Sequence, residues 1–583
     1  MPEYKSLTDL EINPCPFDIL TPDHNLTKIM VLQCSGAIDT AGHVINVEAA
    51  TSTSKHSKFL SLALEKEASL AITPEYSCPW SVIEDFVSDP LLFPKQGSLW
   101  ALGCESVTPD ELVQIKARTE DQVLWIHEDL AAAGDRIFFS PLVYLFRLED
   151  GSDKSLCAIV QFKTHQMGGT HFERDYLIQG NIRYIIHNPT MSDSIRLMSI
   201  ICSDAIVFDI NDLTDLTPYL LIHIQLNTDP YHTNVSSYRT SLFESGKGQN
   251  VEILSLNWAQ GFQFLGQAQS LDYGGSAYFM HPIKSEKEPL QKDHAIDANH
   301  AKGVYLRFSK KTRHAAFLLS PKELIFELNT TKVSQHLAQP VNQSRSGITA
   351  VATYSWQGDQ AVWGVVDEID DGVRNTFEAN GGKVQLRPSL REKFLTICSG
   401  RVCPEMVEWH MPPDLDEEDK KHIRISRWHR VRNMASYCLD GFESPKGTSA
   451  RLKHCQDEEI AQSVSNYTSL LTYIGNKDIV PEILYDLANG VPIVELIPDE
   501  VTKEKIRHNV RLNSGGGLAT IVFIGSALPE AAKRKFADIK NTLSPQRLVV
   551  WYYYQGKIQF ITDELPQIIE TDQSLEDITR AEL

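Results

Sequence analysis

Between residues 28 and 328 the chain repeatedly returns to short apolar runs of strand length, interleaved with stretches whose apolar residues fall at helical spacing. That alternation points to an α/β layered domain. Residues 28–33 (KIMVLQ) have the length of a buried strand, and 47–68 carry Phe59, Leu60, Leu62 and Leu64 near helical spacing. A second strand is expected at 70–73, stopped by Pro74, and a third at 99–103 (LWALG). The spacing of Val113, Ile115, Val123, Leu124 and Ile126 predicts one long helix over 110–133. Residues 138–148 and 155–162 flank a charged, turn-rich link (EDGSDK) and read as a β-hairpin. Further strands are expected at 197–202, 220–226 and 253–256, with edge or hairpin strands at 304–308, 315–319 and 324–328.

The polar segment 281–300 reads as a surface insertion, and pattern-poor residues 329–345 as a domain boundary. The expected organisation is an N-terminal extension over 1–24, a first domain over 25–330, a separate mixed α/β domain over 345–566 and an acidic tail over 567–583. In the second domain, strands are expected at 349–354 and 361–366 and a long helix at 414–438. Helical content continues at 460–471 and 483–487, followed by a strand at 518–524. Pro529 stands where a helix would begin, and 548–553 pairs with 558–561.

Charge limits the partners. Against 55 Lys+Arg stand 76 Asp+Glu in 583 residues, a formal net charge of −21. Such a chain repels nucleic acid and anionic membranes as a whole. The basic, aromatic-bearing patch Arg424, Arg427, Trp428, Arg430 and Arg432 is the local exception. Complementing an acidic face of this chain or of a partner is favoured there over binding nucleic acid. Apolar runs such as 518–528 fall short of the ~18 residues of a spanning helix, and the N-terminus lacks a signal-peptide layout. Ten scattered cysteines then read as reduced thiols of a cytoplasmic protein. Cys398, Cys403 and His410, or Cys438 with Cys455, lack zinc-site spacing. The glycine run 515–517 lacks the GKS/T of a phosphate loop, and Gly525-Ser526 reads as an ordinary βα turn.

Three stretches each deliver a reactive residue to a strand end: Glu75 in ITPEYSCPW, Lys163 in AIVQFKTHQM and Cys202 in LMSIICSD. Carboxyl ends of strands are where α/β folds collect their sites. Taken singly, the Cys would be a small buried hydrophobe and the Glu and Lys surface residues. Together they suit one chemistry. A thiol needs a base, which Glu75 offers. Lys163 can lie beside a developing oxyanion, and the Ser203 backbone N–H can be a second donor.

The chain resembles the nitrilase, or carbon–nitrogen hydrolase, superfamily over about residues 25–330. Beyond Glu, Lys and Cys in that order, the resemblance includes Pro74 before Glu75, and Gly103 at the end of the next strand. It also includes Glu173, Tyr176 and Gly180 after Lys163, the Cys202-Ser203-Asp204 motif, Arg239, Asn257 with Gly261, and Gly274-Gly275-Ser276. Ser203 stands where the family has an aromatic, 206–209 (IVFD) replaces its Phe-Pro-Glu, and the Glu after Arg239 is missing. The resemblance implies a four-layer α-β-β-α sandwich that dimerises. It also implies hydrolysis of an amide, nitrile or carbamoyl C–N bond through a thioester at Cys202, with no metal or organic cofactor. Glu173 would support proton transfer, and Ser203 and Asn257 would line the oxyanion and substrate pocket. The alternative is a catalytically altered scaffold or subunit of a larger assembly, such as a bacterial defence system.

Overall fold

The computed structural model describes residues 2–369 except 24, 133, 150–151, 169, 214–216, 229–232, 246, 266–274, 282–297, 300, 310–313 and 333–346. Beyond 369 it describes 493–496, 506–511, 518–543, 548–555, 557–562 and 569–570. The expected helices at 414–438, 460–471 and 483–487, the Arg424–Arg432 patch, the candidate zinc residues, the glycine run and all of the acidic tail except 569–570 lie outside the described residues.

The first unit begins with β1 (Glu3–Ser6), β2 (Leu26–Gln33), α1 (Ala49–Glu65), β3 (Leu70–Cys78), α2 (Trp80–Ser88), β4 (Leu99–Cys104) and α3 (Pro109–Thr119). It continues through β5 (Val123–His127), β6 (Pro141–Arg147), β7 (Leu156–Phe162), α4 (His171–Tyr176), β8 (Ile182–Ile186), β9 (Arg196–Ile201) and β10 (Tyr219–Ile224). Then follow α5 (Thr233–Glu244), β11 (Val251–Leu256), β12 (Ala277–Met280), β13 (Val304–Ser309), β14 (His314–Leu319), β15 (Leu324–Thr331), β16 (Ile348–Gln357) and β17 (Val362–Val365). Among the described residues these strands build a nine-stranded sheet, β17-β16-β15-β2-β3-β4-β6-β7-β5, and an eight-stranded sheet, β1-β8-β9-β10-β11-β12-β14-β13.

The period-2 alternation of the strands sets the layers. Ile29, Val31, Leu70 and Ile72 of the first sheet share one buried cluster with Leu197, Ile201, Ile222 and Ile224 of the second. The intervening residues Met30, Leu32, Ala71 and Trp100 point the other way, where they pack with Phe59 and Leu60 of α1 and Val82 and Phe86 of α2. On the outer face of the second sheet His223 meets Tyr238 of α5. Helix, sheet, sheet and helix therefore follow one another. Each fully buried Leu, Ile or Phe of these clusters contributes roughly 1.5–3 kcal/mol.

Five expectations are corrected. Pro74 does not stop its strand: β3 runs on to Cys78, because the ladder to β4 is interrupted between Thr73 and Cys78, where proline's missing N–H is not needed. The helix expected over 110–133 is two elements. A capping box of Thr108 and Glu111 starts α3, which ends at Thr119. Val123, Leu124 and Ile126 instead belong to β5, pairing parallel with β7 at the sheet edge. The strands expected at 349–354 and 361–366 form, but as β16 and β17, joined through β15 to β2. The strand expected at 324–328 likewise sits inside its sheet rather than at the edge. The N-terminal residues are no loose extension: β1 pairs parallel with β8, and Leu7, Phe17 and Leu20 are buried.

In the second unit the described strands β18 (Ile493–Leu496), β19 (Ile506–Arg511), β20 (Leu518–Ser526), β21 (Leu548–Tyr554), β22 (Lys557–Thr562) and β23 (Ile569–Glu570) make one sheet in chain order. The helix α6 (Pro529–Leu543) connects β20 to its parallel neighbour β21, and Pro529 opens it. The expected hairpin forms between β21 and β22.

Candidate active site

Glu75 sits in the interruption of β3, beyond the point where β3 and β4 pair regularly. Gly103 faces it from β4: a Cβ there would collide with the Pro74 carbonyl, so glycine lets the two backbones approach. Lys163 follows the last residue of β7, and its backbone N–H donates to the Ser140 carbonyl at 2.9 Å. Gly180 N donates to the Lys163 carbonyl at 2.9 Å, and a Cβ at Gly180 would stand 2.9 Å from the Phe162 carbonyl. Glu173 is on α4. Cys202 follows β9 on the other sheet, with a left-handed φ of 45° that a non-glycine residue adopts only where its surroundings impose it.

These side chains meet. The Lys163 ammonium donates to Glu75 Oε1 at 2.9 Å and to Glu173 Oε1 at 2.6 Å, and all three groups are buried. Glu75 also accepts from Ser140 Oγ at 3.2 Å and, through Oε2, from the Leu226 N–H at 2.9 Å. The Leu226 carbonyl in turn accepts from Cys202 Sγ at 3.9 Å, so a single residue past β10 touches both the carboxylate and the thiol. Tyr76 Oη donates to Glu173 Oε1 at 3.0 Å and the Met167 N–H to Glu173 Oε2 at 2.7 Å. Trp258 Nε1 donates to the Glu75 carbonyl at 2.7 Å.

Burial dominates the electrostatics. It pushes the Glu75 carboxyl up to about 7; Lys163 pulls against that shift and Glu173 adds to it. Burial alone would lower the Lys163 pKa, but the flanking Glu173 and Glu75 overcome it and hold the ammonium well above its usual range. The Cys202 thiol is pushed well up by burial and by Glu75, with Lys163 opposing. At neutral pH the resting site therefore contains a thiol and a carboxyl near half-ionisation.

The remaining sequence candidates divide. Ser203 is buried beside Cys202, and its hydroxyl donates to the His165 carbonyl at 2.6 Å, so only its backbone can serve a reacting group. Asn257 has a bracing position: its Nδ2 donates to the Asn227 carbonyl at 2.7 Å and its Oδ1 accepts the Asn227 N–H at 3.0 Å. Those two bonds tie together the ends of β10 and β11. Tyr176 is 40% exposed at the end of α4.

Other contacts were not legible. Asp204 accepts from the Thr164 and His165 N–H groups at 2.9 and 2.7 Å, lashing the turn after Cys202 to the loop after Lys163. The buried Arg183 donates to Thr164 Oγ1 at 3.1 Å and to the Asp204 carbonyl at 3.3 Å. Asp204 had a signal in its place beside Cys202; Leu226 acts through its backbone, which leaves none.

Among the described residues, no group of three or more His, Cys, Asp or Glu is placed to hold a metal ion, and no helix is long and apolar enough to cross a membrane.

Fold and cluster together define an α/β protein with a buried Glu–Lys–Glu set facing a cysteine at the strand ends. No protein-family model matches the sequence, and no curated protein does. Amidases are among the solved structures similar to part of the chain. One is a cysteine-to-alanine mutant of the Nesterenkonia AN1 amidase from the nitrilase superfamily: 10% identity over 45% of this chain and 84% of that chain, TM-score 0.27. Another is an amidase from Nesterenkonia sp., 9% identical over 52% of this chain and 94% of that one, TM-score 0.26. A third is a mutant of the AN1 enzyme with the acetamide moiety of fluoroacetamide added covalently at its active-site cysteine, 11% identical over 44% and 84%, TM-score 0.25.

Proposed function

We propose that the first unit hydrolyses a small amide, nitrile or carbamoyl C–N bond through a thioester at Cys202. The observation that carries this reading is the Lys163 ammonium held between two buried carboxylates, one of which shares Leu226 with the thiol.

For an amide, ionised Glu75 takes the Cys202 proton as sulfur attacks the carbonyl carbon. The tetrahedral oxyanion is stabilised by the Lys163 ammonium and the Ser203 backbone N–H. Glu75 returns the proton to nitrogen, the C–N bond breaks and ammonia or an amine leaves. Water then attacks the thioester with Glu75 again as base, the C–S bond breaks, Glu75 returns that proton to the Cys202 sulfur, and the carboxylic acid departs. A carboxyl near pKa 7 suits both directions of transfer. Glu173 holds Lys163 charged and in place. No step uses a metal or organic cofactor.

The second reading is a scaffold without turnover, and the burial of Cys202, 1% exposed with its thiol held protonated, favours it. Ammonia release from a panel of small amides separates the two. The hydrolase releases ammonia and Cys202→Ala abolishes it; release that survives the substitution removes Cys202 from the mechanism.

A further inference from the structure

His223 lies on the outward face of β10 and is fully buried. Its Nε2 is 3.0 Å from the Cys202 carbonyl, and its Nδ1 is 3.0 Å from Tyr238 Oη on α5. A carbonyl only accepts, so Nε2 carries the hydrogen, and the phenol then donates to Nδ1. Burial, with Arg239 adding to it, lowers the imidazole pKa to about 3, so this neutral tautomer persists across the working pH range.

The carbonyl in question belongs to the strained residue. Left-handed backbone costs a non-glycine residue roughly 1–2 kcal/mol. The Cys202 carbonyl also shares a rigid peptide plane with the Ser203 N–H, and in a trans peptide the two point in opposite directions. Anchoring the oxygen therefore fixes the direction of the hydrogen, and a bond accepted by the carbonyl polarises the N–H outward. We propose that His223, oriented by Tyr238, is a positioning residue for the oxyanion site, holding the 202–203 peptide so that the Ser203 N–H faces the developing charge.

This inference rests on the thioester reading, and two reactions of Cys202 distinguish its failure from that reading's failure. Acylation by p-nitrophenyl acetate passes through a tetrahedral oxyanion and expels p-nitrophenolate. Alkylation by iodoacetamide forms the C–S bond as iodide leaves and develops no oxyanion. In the full chain, His223→Leu should slow acylation about 10- to 100-fold, below the ~10²–10³ of losing a donor outright, because the N–H remains but is misdirected. Alkylation should stay within about threefold, and His223→Gln, which keeps a side-chain N–H, should restore much of the acylation rate. If His223→Leu fails to fold, Tyr238→Phe frees Nδ1 while leaving the imidazole, and should lower the acylation-to-alkylation ratio about 3- to 10-fold. An unchanged ratio in a folded variant overturns the positioning role alone. Equal losses in both reactions overturn it in favour of simple collapse of the turn. A wild-type Cys202 that alkylates but never acylates overturns the hydrolase reading, and the inference with it.

Discussion

Replacing Glu75 by Gln isolates the buried carboxyl on which the proposed chemistry turns. The substitution keeps the shape and a carbonyl acceptor for Lys163, which also retains Glu173 at 2.6 Å. What it removes is a proton equilibrium. Glu75 titrates near 7 in the folded chain against an ordinary value of 4.5. A folded pKa above the unfolded one means that the folded state prefers the protonated group. Its contribution to stability is therefore fully present below about pH 4.5 and is lost as pH rises through about 7. The size follows from the shift: on the order of 3 kcal/mol. The amide introduced by Glu75→Gln cannot titrate, so the stability of the variant minus that of wild type should grow by that amount between pH 4.5 and 7.5. The fully buried Trp100 and Trp258 report the first unit's unfolding in denaturant titrations of the full chain. Over the same range, base-dependent turnover should fall by ~10²–10⁴. A stability difference that stays constant across this pH range would instead mean that Glu75 ionises in the native chain as it does in water.

Other substitutions test separate parts of the site. Lys163→Met leaves two buried carboxylates without their shared cation and should destabilise the unit by about 3–5 kcal/mol at pH 7.5, seen as an earlier unfolding midpoint. The penalty should shrink toward pH 5 as Glu75 protonates. Gly103→Ala pushes a Cβ into the Pro74 carbonyl, and should either prevent folding or displace Glu75 enough to abolish turnover, read by circular dichroism and ammonia release. Asp204→Asn weakens the lashing between the Cys202 turn and the Lys163 loop; it should lower kcat more than it raises KM in steady-state kinetics. Cys202→Ala should leave the unfolding midpoint within about 1 kcal/mol of wild type, because a small buried side chain loses one sulfur atom.

Much of this fold is legible where burial is complete. The strands at 28–33, 99–103 and 197–202 are mostly apolar on both faces, so no periodicity argument is needed to find them. Helix and strand become ambiguous at 110–133, since Val123, Leu124 and Ile126 satisfy either period; only pairing with β7 decides. The polar stretch before Ile348 resembles a linker, and only the antiparallel pairing of β16 with β15 brings 348–357 back into the first unit's sheet. Within the site, Glu75, Lys163, Glu173 and Cys202 announce themselves by type and order. Leu226 and His223 do not: one acts through its backbone, and the other looks like any histidine in an apolar strand until its carbonyl partner is known. The bonds by which Asn257 braces Asn227 are equally invisible in the sequence, because they depend on β10 and β11 lying side by side.

The proposed hydrolysis requires Cys202 to carry the acyl group. Quenching the full chain in acid during reaction with small amides, nitriles and N-carbamoyl compounds, then locating the mass increase by peptide mapping, reads that group out. An acyl-sized increase is expected on the Cys202 peptide alone, absent from Cys202→Ala and accumulating in variants slow to deacylate. An increase on a different cysteine, or turnover of a substrate with Cys202 unmodified throughout, would contradict it.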